Sequence, residues 1–352
     1  MMSHVGRLCA FAACALLLAA PGAAGRGAAA PTLAELVGQK LVVSMNGTTP
    51  SASLLRRVRR GDVGGVILHA FNFRTAADVR RICSTLQAAA AAAHRPKLLL
   101  AVDQEGGGVK TVAWAPPTRA PAAMRSPRAE GRRTALALRS IGVNADLAPV
   151  ADVPASRASA VYRQGRTWSF DASATASSAT AFAVGLRDGG AVAAMKHFPG
   201  LGFARRDTDR ALVRITASAD RLAPGLLPYR SAVRSHVPVV MLSNAIYDAY
   251  DPVNAAGWSR AIATTLLRRQ LGFDGVSMTD SLDGAAHVRG IPPNGLAIGA
   301  ANAGTDVILL TGSEAATRSV YTSLLRAAQR GRIGRATLEA SYARILALKA
   351  RL

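Results

Sequence analysis

Cysteine is scarce: the 352-residue chain has three, and Cys9 and Cys14 lie in an N-terminal stretch that reads as removable. Only Cys83 would remain, so neither an intramolecular disulfide nor a cysteine metal cluster is expected, and the fold must rest on its core. The six histidines stand far apart in the sequence, which argues against a metal site. No G-x-x-x-x-G-K-[ST] phosphate loop occurs, and the glycines after Asp103 do not fit a dinucleotide fingerprint. No cofactor is expected. Acidic residues number 21 against 43 Lys and Arg, a net charge of +22. Such an excess favours anionic partners such as nucleic acid, acidic lipid or acidic cell-wall polymer. Yet Arg is spread without a dense basic block, and aromatics make up only 5%. The interleaved surface of a nucleic-acid binder is missing, so nucleic acid is not expected as a partner.

Half the residues are hydrophobic and 18% charged, which excludes a disordered chain and allows one large α/β domain or two smaller ones. Residues 1–25 have the order of a cleavable secretory signal. His4 and Arg7 precede an apolar run, Leu8 to Ala20, and then Pro21 and the small residues Gly22–Gly25. That run is too short for a comfortable membrane span. Cys14 offers an alternative, lipid attachment, and only then would a membrane hold the protein. Plain cleavage is preferred, giving a secreted or envelope-associated protein whose domain covers residues 30–352.

Strand-like apolar runs then recur at Lys40–Met45, Gly65–His69, Lys97–Val102, Val143–Pro149, Val192–Lys196, Pro238–Ser243, Gly275–Thr279 and Asp306–Leu310. Helix-like segments lie between several of them, at Ala76–Ala92, Ser173–Leu186, Arg260–Gln270 and Pro293–Ala303. Continuously apolar strands alternating with helices imply a parallel sheet covered on both faces. Eight such units predict an α/β fold, a single (β/α)₈ barrel. The final segment, with Leu338, Tyr342, Ile345, Leu346 and Leu348 among basic residues, predicts an amphipathic helix on the outside.

Barrel chemistry sits where strands end. Asn46, Asn72, Asp103 with Glu105, then Asn144, Asp146 and Asp152, Lys196-His197, Asn244, Asp280, and finally Thr311 to Glu314 follow or flank the eight runs in turn. Carboxylates, amides and one Lys-His pair on a common rim suit a polyhydroxylated ligand. The stretch Met195–Asp209, M-K-H-F-P-G-L-G-F-A-R-R-D-T-D, stands out. A strand that ends in ionisable residues and a Pro/Gly turn marks a site rather than a packing feature.

Together these residues resemble glycoside hydrolase family 3. The matching motifs are D-Q-E-G-G at Asp103–Gly107, N-A-D-L-A-P-V at Asn144–Val150 and K-H-F-P-G at Lys196–Gly200, followed by G-F-D-G-V-x-M-T-D at Gly272–Asp280 and A-G-T-D-V-I-L-L at Ala303–Leu310. Their order matches from about Thr32 onward, and the branch most resembled is the one-domain bacterial β-N-acetylhexosaminidases. The resemblance implies hydrolysis of terminal β-linked sugars, N-acetylglucosamine foremost, with retention through a covalent glycosyl-enzyme. It implies Asp280 as nucleophile, Lys196 and His197 as binders of sugar hydroxyls, and Asp103 as the carboxylate gripping a distal hydroxyl.

The sequence departs from that branch at the general acid. Where K-H-F-P-G-H-G-D-T-x-x-D-S-H carries an Asp-His pair, the register here places Asp207 and Asp209. Asp209 is a candidate acid, with Asp207 as support, provided desolvation or a neighbouring carboxylate raises it. The competing reading is a non-catalytic loop closed by Asp–Arg pairs. Gly108 stands where the family commonly has Arg. Trp168 replaces a sugar-binding Arg for which Arg166 is the stand-in, and Asn244 replaces a frequent His. Two alternatives therefore accompany the hexosaminidase reading. One is a barrel of impaired catalysis that binds glycan or anionic wall polymer; the other is a β-glucosidase-like or phosphorolytic enzyme.

Overall fold

Each of the eight apolar runs becomes a strand of one sheet: β1 Leu41–Ser44, β2 Gly65–Ile67, β3 Leu99–Val102, β4 Ala145–Asp146, β5 Val192–Phe198, β6 Val239–Leu242, β7 Val276–Thr279 and β8 Ile308–Leu310. The computed structural model describes Met1 and residues 30–352. The signal-peptide reading, with Cys9 and Cys14, thus lies outside the described residues apart from Met1. Among the described residues, no helix is long and apolar enough to cross a membrane.

Neighbouring strands pair in parallel from β1 to β7, and β8 pairs back onto β1. One parallel bridge, Met278 to Val307, joins β7 to the approach to β8 and brings the barrel to near closure. Side chains alternate across each strand. Val42, Ile67, Ala101, Ala194, Met241 and Leu309 share one inner cluster. Their neighbours Val43, Val66, Leu100, Val240 and Leu310 pack outward against the helices. Both faces are buried, which is why these runs lack polar alternation.

Helices form where the sequence supplies a cap and an apolar stripe. Ser51, Thr75, Asp171 and Ser313 each accept a backbone N–H three residues on, opening the helices α1 Ala52–Arg60, α2 Ala76–Ala91, α3 Ala172–Asp188 and α4 Glu314–Gln329. The final helix, α5 Arg335–Lys349, departs from the expected outside position. Leu338 joins the outer core, but Ile345 and Leu348 join the cluster within the barrel, so the helix plugs it.

Side chains stitch the β7–β8 seam where backbone pairing is thin. At its base, the buried Asp306 carboxylate accepts the Ser277 N–H at 2.9 Å, pairs with Arg344 at 2.8 Å and contacts Arg268. At the top, Asp283 Oδ2 accepts the Thr311 N–H at 2.7 Å, and the Ser281 and Thr311 hydroxyls meet at 2.6 Å.

Candidate active site

At the C-terminal end of the barrel a cavity of about 440 Å³ opens, the size of a small-ligand site. Seven of the eight residues singled out from the sequence line it: Asp103, Arg166, Lys196, His197, Asp207, Asp209 and Asp280. Asn244 does not. It is buried, and its side-chain amide donates to the Ser281 carbonyl at 2.8 Å, turned away behind Asp280.

In a regular strand, Lys196 and His197 would face opposite sides. Instead the β5–β6 register shifts between Lys196 and Phe198, an irregularity of the kind that re-aims side chains beside active sites. Both side chains then reach the cavity.

Lys196 Nζ lies 2.6 Å from Asp103 Oδ1 and 2.7 Å from Glu105 Oε1. Arg166 grips the same Glu105 with two parallel bonds, Nε to Oε2 and Nη2 to Oε1, both 2.8 Å. Glu105 is almost fully buried. Burial alone would push its carboxyl up, but Lys196 and Arg166 override that and hold it at about 2. Burial likewise disfavours charge on Lys196, and Asp103 and Glu105 outweigh it, raising its affinity for the proton. Two cations and two carboxylates thus form a fixed, dry array, with Asp103 the more open member.

His197 is oriented from behind. Its Nδ1 donates to Asp152 Oδ2 at 2.8 Å, while Asp152 Oδ1 accepts the His197 and Leu201 N–H groups at 3.2 and 2.7 Å. Nε2 faces Arg166 Nη2 at 3.5 Å. Asp152 is completely buried, so the imidazole and the loop that follows turn on one anchored carboxylate. Asp146 sits deeper, with Oδ1 accepting the Gln104 N–H at 3.0 Å and Oδ2 unpartnered. Burial raises its carboxyl well above the usual range.

In the loop after β5, Asp207 accepts from Gln164 Nε2 at 3.0 Å and from the Asp209 N–H at 3.0 Å. Neither Asp207 nor Asp209 pairs with a loop arginine among the described residues, which removes the geometry behind the Asp–Arg closure reading. Asp209 is pushed up to about 7 by burial, then by the charges of Asp280 and Asp207, with His197 and Arg166 opposing. Its residue surface is open at the cleft mouth. Water there weakens the burial contribution, while repulsion from the two carboxylates persists. Its Oδ1 lies against Gly284, where a Cβ would stand 2.3 Å away.

Asp280 follows β7 directly, with its Oδ1 accepting the Ser281 N–H at 2.7 Å. Trp168 does not stand in for a sugar-binding arginine; its indole donates to the Val150 carbonyl at 2.8 Å in the core. Arg166 occupies the cavity instead. At Gly108 the wall is open, with nothing within 4 Å of where a Cβ would point. Sequence reasoning placed Glu105, inside the D-Q-E-G-G motif, and Asp152 on the rim but gave neither a role. Among the described residues, no group of three His, Cys, Asp or Glu side chains is placed to hold a metal ion.

A (β/α)₈ barrel with a sugar-sized, carboxylate-rich cleft at its strand ends defines a carbohydrate-active class of protein. Comparison sharpens that. Residues 32–348 match the pattern described as the glycosyl hydrolase family 3 N terminal domain. The chain is 31% identical over 351 residues to an uncharacterized secreted glycosyl hydrolase of Arthroderma benhamiae, covering 96% of this chain and 99% of the relative. It is 32% identical over 297 residues to a beta-hexosaminidase of Pseudomonas aeruginosa, covering 81% and 86%. A family 3 beta-N-acetylglucosaminidase from Paenibacillus sp. superposes with a TM-score of 0.85 at 31% identity; the match covers 92% of this chain and 63% of that one. The beta-N-acetylhexosaminidase of Beutenbergia cavernae gives a TM-score of 0.82 at 31% identity, covering 92% and 100%. The chain belongs to glycoside hydrolase family 3 and is a glycosidase.

Proposed function

We propose that the protein is a secreted, retaining β-N-acetylhexosaminidase that releases terminal β-linked N-acetylglucosamine. The observation that carries this reading is the pair Asp280 and Asp209 in one cavity, with Asp209 raised by burial and then by its neighbour's charge. Asp280 attacks the anomeric carbon as a carboxylate, and the bond to the leaving oxygen breaks. Asp209, supported by Asp207, gives its proton to that oxygen. In the second half, Asp209 takes a proton from water, the water oxygen attacks the anomeric carbon, and Asp280 departs as a carboxylate. An acid raised towards the working pH serves both steps. Asp103, Lys196, His197 and Arg166 hold the sugar hydroxyls and amide, with Glu105 and Asp152 fixing their orientation. The beta-hexosaminidase of P. aeruginosa supports the sugar assignment; the N-terminal signal reading and the secreted Arthroderma relative support secretion.

The test uses aryl and alkyl β-glycosides of N-acetylglucosamine and of glucose. An aryl leaving group departs without a proton, whereas an alkyl one needs the acid. The wild type should turn over both N-acetylglucosaminides, Asp280→Asn neither, and Asp209→Ala chiefly the aryl substrate. Activity surviving in Asp280→Asn would overturn the nucleophile assignment, and a preference for the glucosides would overturn the sugar. Arg206 in the cavity wall favours an oxyanion acceptor and gives the phosphorolytic reading its one observation; a sugar 1-phosphate formed only with added phosphate would establish it. The N-terminal residue of native protein tests secretion: a start near Gly25 fits, and an intact Met1 refutes.

A further inference from the structure

The loop that walls the catalytic cavity borders a further hollow as well. Ala204 and Arg206 also line a second hollow of about 460 Å³. That hollow holds Arg205, Arg206, Arg214 and Arg221 and no acidic residue. Arg214 is neutralised by Asp248 at 2.5 Å. The guanidinium of Arg221 lies over the Phe203 ring at 5.1 Å and has no carboxylate partner among the described residues. The side chains of Arg205 and Arg206 have no hydrogen-bond or ion-pair partner among the described residues. Three uncompensated arginines on one wall cost repulsion in the free protein and favour anions in the groove. Phe203 and Arg221 also line a third hollow, with Phe170 and prolines.

The direction of this groove follows from the chemistry proposed for the cleft, on which the inference rests. An acid must stand beside the oxygen of the breaking bond. The loop that carries Asp209 therefore borders the leaving group, while Asp103, Lys196 and His197 hold the sugar being released. Arg205 and Arg206 sit on that same loop.

We propose that the Arg205–Arg206–Arg221 groove is a leaving-group-side binding site for a polyanionic glycan, one that carries repeated phosphate or carboxylate groups. A single anion needs one arginine fork. Three charges around a hollow that borders the cleft fit a chain of charges, and the neighbouring hollow at Phe203 offers room for its length. The bulk charge of +22 brings such a polymer to the surface, and the groove gives it a place and a polarity.

The test is binding of fluorescently labelled inorganic polyphosphate, labelled oligogalacturonate and labelled neutral malto-oligosaccharide to the full chain, followed by anisotropy across a salt series. The expected result is tight binding of one or both anions, weakening steeply with salt, and no binding of the neutral chain. Stronger binding of polyphosphate identifies a phosphodiester polymer, and stronger binding of oligogalacturonate an acidic polysaccharide. The triple variant Arg205→Gln, Arg206→Gln, Arg221→Gln should lose at least tenfold in affinity. The distant triple Arg139→Gln, Arg330→Gln, Arg332→Gln removes the same charge from other exposed positions and should lose little. Equal loss in the two triples, or equal binding of the neutral chain, overturns the proposal. Binding is read without turnover, so the two readings fail separately. A protein that binds polyanion but cleaves no glycoside refutes the hydrolase mechanism alone; one that cleaves but does not bind refutes the groove alone.

Discussion

Replacing Gly284 with alanine adds one methyl group, and its position makes the outcome calculable. The new Cβ would stand 2.3 Å from Asp209 Oδ1. A carbon and a carboxylate oxygen settle at about 3.3 Å or more, so the carboxyl must retreat by about 1 Å. The backbone at residue 284 is helical, the third position of Leu282–His287, and alanine in a helix gains about 0.5–1 kcal/mol over glycine. The fold therefore has no reason to weaken, and the displacement falls on the acid. A shift of about 1 Å in a catalytic group costs on the order of 100-fold in rate, or about 2.7 kcal/mol of barrier. The assay is kcat/KM for Gly284→Ala on alkyl and aryl N-acetylglucosaminides, with a melting curve alongside. We expect the alkyl substrate to lose on the order of 100-fold, the aryl substrate to lose little in the glycosylation step, and Tm to hold or rise. Equal losses on both substrates, or no loss on the alkyl one, would refute the placement of Asp209 as acid. A fall in Tm would show that the methyl group was accommodated by distorting the helix.

Asp209, raised to about 7, must carry its proton in the first step, so alkyl-glycoside turnover should decline as pH rises through about 7, while formation of the glycosyl-enzyme from aryl substrates should not share that limb. Linkage gives the matching stability effect: a carboxyl raised on folding penalises the charged form above its folded value, so Asp209→Asn should melt higher than wild type above pH 7 and converge with it near pH 4. Glu105→Gln leaves Arg166 facing a neutral amide and Lys196 with Asp103 alone, a loss of up to about 3–5 kcal/mol that should lower Tm by up to about 5–10 °C. Glu105 is held at about 2, so its contribution is full above the ordinary carboxylate range and fades as pH falls towards 2; in Glu105→Gln that part of the acid limb should flatten.

Much of the barrel was legible because its strands are buried on both faces and read as unbroken apolar runs between capped helices. The site's members were legible as ionisable residues at strand ends, since a charge there has little use in packing. Their partnerships were not. Lys196 meets Asp103 across 93 positions and His197 meets Asp152 across 45, and only barrel closure fixes such pairs. Glu105 was seen at a strand end but given no role, because nothing local distinguishes a carboxylate held between two cations from one facing water. Asn244 occupies a strand end like the others, but the nearby Ser281 carbonyl takes its amide and removes it from the cavity. The close approach of Gly284 to Asp209, 75 positions apart in the chain, leaves no sequence pattern at all.

The seam between β7 and β8 bears directly on the chemistry. β7 leads directly into Asp280 and is fully laddered on one side only, so the proposed nucleophile sits at the thinnest backbone seam of the cylinder. Beside three backbone bonds between Ser277 or Thr279 and Asp306 or Val307, that edge is held by side-chain fasteners: Asp306 below, and Asp283, Thr311 and Ser281 above. A fastener can be undone by a single substitution, whereas a backbone ladder cannot. The barrel therefore keeps its most adjustable joint beside the proposed nucleophile. Changes at residues that do not line the cavity, Thr311 and Asp283 foremost, are the economical route by which the aim of Asp280 can be altered while the cylinder stays intact.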